Sequence, residues 1–254
     1  MGGLIAIATE DFSLFHDLVR LLRERGEPFV SLRPGDPVPS NAAVVVCSAG
    51  EAGRIGFAPV VEAPRAETAL LKALSLKEDC DDALLVAGVD PGMRPGYALM
   101  MKGRTLAKGS VDGPEGIAAV LRTALQGISP PGSLLRIGHG DPVNRDRCIR
   151  AAWPLVDEVQ VVDETRTSGK SPLDHREAAE AIARSDGRRL ADMPRPSSTS
   201  GGLRDLQRVS RRVSGDITIS AALAEEVALG GLSMDEAIER QRLRAGARRP
   251  GPSL

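Results

Sequence analysis

The sequence predicts an α/β protein in three parts. A small α/β layer occupies residues 1–80, and a mixed-sheet α/β domain follows over 83–190. The latter is a three-strand meander succeeded by alternating helices and strands. After a linker at 191–202 comes a helical segment at 203–246. Three observations carry this reading. Short apolar runs alternate with stretches of helical period through the first 190 residues. Lys102-Gly103-Arg104 forms a tight turn between two apolar runs. Finally, Ala191 to Gly202 is rich in Pro, Ser, Thr and Gly, the composition of a linker.

Leu4–Ala8 is an apolar strand run, and residues 11–25 follow with Phe12, Phe15, Leu18, Val19 and Leu22 at helical spacing. Gly26 can close that helix and Pro28–Leu32 can extend. A Pro, Gly and Asp loop leads into Ala43–Cys47, a buried-strand pattern, and residues 64–77 are again helical. Gly50, Gly53 and Gly56 do not have the spacing of a dinucleotide fingerprint.

In the central part, Ala83–Val89, Gly96–Met101 and Thr105–Ser110 form the meander. Asp112–Gln126 is a helix, with Pro114 in its first turn and Ile117, Val120, Leu121, Ala124 and Leu125 on one face. Leu134–Gly138 is a fourth strand, 142–153 a helix and Glu158–Val162 a fifth strand. Ser171–Arg184 closes the domain as a helix, with Ser171 and Asp174 in capping-box spacing and Pro172 at the first helical position. Beyond the linker lie helices at 203–213, 220–229 and 234–244, with Ser233 and Glu236 as a second capping box.

Composition narrows the function. Aromatics are 2% of the chain, which excludes a surface that stacks many bases on rings. A net charge of −1 argues against a broadly basic nucleic-acid coat but is compatible with a carboxylate site offset by cations elsewhere. Cys47, Cys80 and Cys148 show no CxxC spacing, which argues against structural zinc and a disulfide framework and suits a reducing cytoplasm. No apolar run approaches the roughly 18 residues of a membrane span. The first residues have neither a basic region before the apolar run nor a myristoylation Ser/Thr, since position 6 is Ala.

Three segments can carry chemistry. In Val86-Ala-Gly-Val-Asp90-Pro-Gly-Met-Arg-Pro-Gly-Tyr-Ala98, an apolar strand delivers Asp90 at its tip, and Gly92 and Gly96 let a second strand return close to it. Magnesium prefers such hard oxygen ligands; a plain Asp-Pro-Gly hairpin turn is the alternative. In Asp163-Glu164-Thr165-Arg166-Thr167-Ser168, two acids leave a strand ahead of groups that bind phosphate oxygens, with a polar loop as the alternative. In the closing helix, His175 shares a stripe with Ala178, Ala179 and Ile182, aimed at the sheet, with Asp174 and Glu177 beside it. There the alternative is a buried histidine satisfied by a backbone carbonyl.

Together these segments resemble the RuvC-like resolvases, especially the YqgF (RuvX) proteins, of the ribonuclease-H-like superfamily. Gly88-Val-Asp-Pro-Gly-Met-Arg-Pro-Gly-Tyr-Ala98 resembles the family's opening strand. Asp163-Glu-Thr-Arg-Thr-Ser168 resembles the signature after its fifth strand, and His175-Arg-Glu-Ala-Ala-Glu-Ala-Ile182 its last helix. The resemblance spans residues 83–187. It implies a magnesium- or manganese-dependent, structure-specific endonuclease, Holliday-junction-resolvase-like, acting on branched DNA or structured RNA in repair, recombination or RNA processing. Asp90 would be the first metal ligand and Glu164 the second, with Asp163 beside it. His175 stands where the family has Asp, so His175 serves in its place, or Asp174 or Glu177 reaches in, or the site is degenerate. Asp141, past the fourth strand, is a further candidate ligand, and His139 a candidate ligand or proton carrier. Two cations clamping the scissile phosphate would need at least three such ligands. The analogy is also compatible with a homodimer.

Arg94, Arg166, Thr167, Ser168 and Lys170 are candidate nucleic-acid contacts. So are Arg204, Arg208, Arg211 and Arg212, clustered on one C-terminal helix beside an apolar face of Leu203, Leu206, Val209 and Val213. A solvated helix face is the plainer reading of that cluster. Two rivals to a nuclease stand: a catalytically degenerate nucleic-acid-binding or scaffold protein on the same fold, and an actin-like nucleotide-binding enzyme.

Overall fold

The computed structural model describes residues 3–163, 174–194 and 200–246. The N-terminal layer consists of β1 (Leu4–Ala8), α1 (Phe12–Arg25), β2 (Phe29–Leu32), β3 (Ala42–Cys47), β4 (Val60–Glu62) and α2 (Ala66–Lys77). The central part contains β5 (Leu85–Asp90), β6 (Gly96–Met101), β7 (Arg104–Ser110), α3 (Ile117–Ile128), β8 (Ser133–Gly138), α4 (Pro142–Ala152), β9 (Glu158–Val162), α5 (His175–Arg184) and β10 (Arg188–Arg189). The C-terminal helices are α6 (Ser200–Ser214), α7 (Ala221–Ala228) and α8 (Met234–Gly246). It is a mixed α/β protein with one parallel sheet, one mixed sheet and C-terminal helices.

The first sheet is parallel in the order β2-β1-β3-β4. Helix α1 starts on Asp11, whose carboxylate accepts from Leu14 N–H, and ends on Gly26 in the left-handed region at φ 66°. Glycine pays no Cβ penalty there, so the chain can turn back into β2.

The second sheet has the order β10-β9-β8-β5-β6-β7. Strands β5, β6 and β7 form the antiparallel meander, β8 and β9 run parallel to β5, and β10 is antiparallel at the edge. Lys102 (φ 45°) and Gly103 (φ 76°) make the tight turn between β6 and β7. The predicted helix at 112–126 opens instead with a short 3-10 turn at Pro114–Gly116 and runs on to Ile128.

One continuous cluster of buried side chains, from Ile5 to Val159, joins the N-terminal layer to the central sheet through α2 and α3. Lys72 Nζ on α2 donates to the Ile128 carbonyl that ends α3, at 3.3 Å. Arg25, at the end of α1, donates to the Leu106 carbonyl of β7. A separate cluster holds the C-terminal bundle: Leu206, Ile219, Leu223, Ala224, Val227 and Ile238, with Val143 of α4 among them and Met93 packed against it. Among the described residues, no helix is long and apolar enough to cross a membrane.

The closing helix differs from expectation at its start. Asp174 is the N-cap, its carboxylate accepting from Arg176 N–H, and the described helix begins at His175. Ser171 and Pro172, expected in the first turn, lie outside the described residues.

Candidate functional site

Parallel strands β5, β8 and β9 end at one edge, with Val89 opposite Ile137 and Ile137 opposite Val161. That edge gathers Asp90, the His139–Asp141 segment and Asp163. The side-chain alternation of a strand decides which of these can meet. Gly88 and Asp90 share a face of β5. A Cβ on Gly88 would lie 2.6 Å from Ala183 Cβ and 2.7 Å from Ala183 N, so this face is pressed directly against α5. Gly96, paired with Asp90, sits on the same face, and a Cβ there would lie 2.9 Å from His175 Cβ. The two glycines let the start and middle of α5 settle onto the sheet, which brings His175 Nδ1 to 2.6 Å from Asp90 Oδ2.

This corrects two sequence-based expectations. The second strand does return at Gly96, which pairs with Asp90, but Gly96 also admits the start of α5, and Gly92, expected to share that task, has open space around it. His175 is not a buried histidine bonded to a carbonyl: its side chain is 65% exposed, and its partner is the Asp90 carboxylate, itself 16% exposed. Where the carboxylate accepts from Nδ1–H, the Nε2 of a neutral imidazole is left as an acceptor. Further along, Arg136 of β8 holds the other end of α5, donating from Nη1 to the Ala183 carbonyl at 2.9 Å and from Nε to Gln160 Oε1 at 3.1 Å. The helix is thus fixed at both ends by the sheet it covers.

Asp163 leaves β9 differently. Gln160 and Val162 pair with Arg136 and Gly138, and Asp163 follows just past the end of β9. Strand β8 also lies between β5 and β9, so Asp90 and Asp163 stand about 10 Å apart at the backbone. Glu164, the expected second ligand, and Arg166, Thr167, Ser168 and Lys170 lie outside the described residues.

The remaining candidates have structural partners. Asp141 takes a left-handed conformation (φ 36°) and caps α4. Its Oδ1 accepts from Asn144 N–H at 3.2 Å and its Oδ2 from Asn144 Nδ2 at 2.7 Å. Asn144 Oδ1 accepts in turn from Arg147 Nη1 at 3.0 Å, and buried Arg147 donates from Nε and Nη2 to the two Glu115 oxygens, each at 2.9 Å. An Asp held at positive φ by a four-residue network is backbone strain stored at a strand tip. Asp174 is tied to Arg176, whose guanidinium holds its carboxyl below the usual range. Glu177 is exposed on α5. Arg94 pairs with Asp112 at 3.1 Å on the surface. Among the described residues, no group of three or more His, Cys, Asp or Glu side chains is placed to hold a metal ion.

Arg204, Arg208, Arg211 and Arg212 are exposed on α6, and Arg208 Nη1 lies 3.0 Å from Asp205 Oδ1. Leu206 is buried in the bundle, whereas Val213, expected on the same apolar face, is 57% exposed. Arg150 of α4 reaches the bundle and donates to the Ala228 carbonyl at 2.8 Å. Between α4 and α6 lies a cavity of about 470 Å³ lined by Met93, Asp141, Val143, Asp205, Leu206 and Val209 among others.

Sequence reasoning missed the roles of Gly88 and Arg136, both of which meet Ala183 of α5. Those partners lie far along the chain, and no local pattern announces them.

Comparison with family models finds a response regulator receiver-like domain matching residues 4–76 and a three helical bundle domain matching residues 199–243. The first coincides with the parallel-sheet layer, the second with α6 to α8. The matching families are thus not a RuvC/YqgF nuclease family, and the membership inferred from residues 83–187 is corrected accordingly. No curated protein matches the chain.

Proposed function

We propose that residues 83–190 adopt a ribonuclease-H-like arrangement and hydrolyse nucleic-acid phosphodiesters at Asp90 and His175. The reading is supported by the strand order, a central β5 flanked by a meander on one side and parallel β8 and β9 on the other. One observation carries it: the 2.6 Å contact between His175 Nδ1 and Asp90 Oδ2 at the tip of that central strand. Asp90 orients the imidazole, and Nε2 takes a proton from the water whose oxygen attacks phosphorus; as the bond from phosphorus to the leaving ester oxygen breaks, the imidazolium returns that proton to it.

Magnesium or manganese was the expected cofactor. The described residues do not make a ligand set for it, because Asp90 is engaged by His175, Asp141 and Asp174 cap helices, and no three such groups converge. No step is therefore routed through a metal.

That same observation favours a second reading, a nucleic-acid-binding protein that does not cut. Junction, flap, single-stranded and RNA substrates separate the two when assayed with magnesium, with manganese and with a chelator. If the dyad acts as described, Asp90→Asn and His175→Ala each lower turnover by about 100-fold or more while leaving binding intact. Undiminished cutting by both variants refutes the assignment. Binding without cutting by the unaltered protein under every condition establishes the second reading.

A further inference from the structure

A second cavity lies on the α4 side of the strand tips, away from His175. It measures about 180 Å³ and is lined by His139, Arg145, Asp146, Ile149, Val161, Arg188, Leu190 and Pro194. Three nitrogen-bearing side chains reach it from three elements: His139 from the end of β8, Arg145 from the first turns of α4, and Arg188 from edge strand β10. Arg145 is held in place, its Nη1 donating to the His139 carbonyl at 3.2 Å and its Nε to Asp146 Oδ1 at 3.0 Å. Asp146 thus neutralises Arg145. Arg188 is exposed and has no ion pair among the described residues. Among the described residues that line the notch, beside the edge where β8 and β9 end, Arg188 is therefore the charged side chain without an ion pair. Ile149, Val161 and Leu190 give it an apolar floor.

We propose that this notch is a subsite for one phosphate of a nucleic-acid backbone, with Arg188 as its principal contact and Arg145 and His139 beside it. The proposal rests on the nucleic-acid reading above and adds where the strand runs: over the α4 and β10 side of the strand tips, one phosphate seated here and the reacting one toward Asp90. The size suits a single phosphate group, and a guanidinium offers it a two-pronged donor. Arg188 pairs with Val161 in the β9–β10 ladder only through its backbone, so its side chain is free to turn to a ligand without cost to the sheet.

The test uses the full chain with labelled single-stranded DNA and RNA oligonucleotides in a chelator, following anisotropy from low to moderate salt. One lost phosphate contact lowers the slope of log K against log salt by about 0.7. Arg188→Gln is expected to lower it by that amount and weaken binding several-fold, while Arg188→Lys keeps the slope. Pyrophosphate titrated alone should shift the side-chain resonances of Arg188 and Arg145. If the oligonucleotide binds and Arg188→Gln leaves the slope unchanged, the notch is not a backbone subsite, whatever the cutting assay shows. If pyrophosphate shifts these resonances but no oligonucleotide binds, the assignment to nucleic acid is overturned. If neither binds, the notch as a phosphate site is overturned. A slope that falls in a protein that never cuts upholds the notch and removes only the hydrolase.

Discussion

Replacing Gly88 by Ala tests the claim that two glycines seat α5 on the sheet. The new Cβ would lie 2.6 Å from Ala183 Cβ and 2.7 Å from Ala183 N, with the Ala179 carbonyl oxygen closer still. Ordinary contact begins at 3.4 Å, so the middle of α5 must retreat by about 0.8 Å or more. The obstacle is helix backbone, which has no rotamer by which to escape. Overpacking of this kind costs about 1–3 kcal/mol, against which the loss of glycine flexibility in a strand returns about 0.5–1 kcal/mol. A helix displaced that far would also stretch the 2.6 Å contact of His175 with Asp90 toward the limit of a hydrogen bond. Urea denaturation should show a lower midpoint at unchanged slope, and amide exchange should quicken along α5. Gly92→Ala is the control: a Cβ there meets nothing within 4 Å, so stability should stay level or rise slightly. A Gly88→Ala protein as stable as the original, with α5 exchange unaltered, would refute the packing argument and with it the reason His175 meets Asp90.

Two further outcomes follow from the same geometry. Glu180 accepts from Lys108, Arg184 and Thr105, which pull its carboxyl down to about 2. A depressed folded value means that the stabilisation is present above the ordinary glutamate range and is lost as pH falls from about 4.5 through about 2. Glu180→Gln should flatten the acid limb of the stability profile in that window, and an unchanged limb would show that Glu180 contributes nothing there. Arg147→Ala removes a guanidinium 2% exposed that satisfies Glu115 and Asn144 together. Because Glu115 is half exposed and can rehydrate, the loss should come to about 2–3 kcal/mol in urea; less than about 0.5 kcal/mol would mean the network does not brace the Asp141 turn.

Much of the element order was legible locally. Strand β9 was expected at Glu158–Val162 and lies there, and the Lys102-Gly103 turn and the Asp11 and Gly26 ends of α1 follow from residue types alone. Strands β4 and β10, of three and two residues, were not read, because so few residues cannot display a period. In the C-terminal segment the linker was read through residue 202, whereas α6 already begins at Ser200.

The candidate site was half legible. Asp90 at the tip of an apolar strand was visible because strand period and a Pro-Gly break are local signals. That His175 meets it from 85 positions away was not, nor that β8 stands between Asp90 and the end of β9. What the sequence determined was which segments extend and which coil, since backbone sterics and short-range periodicity act within a few residues. What only the tertiary structure decided was which side chains share a face and a neighbour. Those pairings depend on strand order, on register, and on two glycines whose purpose is visible only in the helix that rests on them.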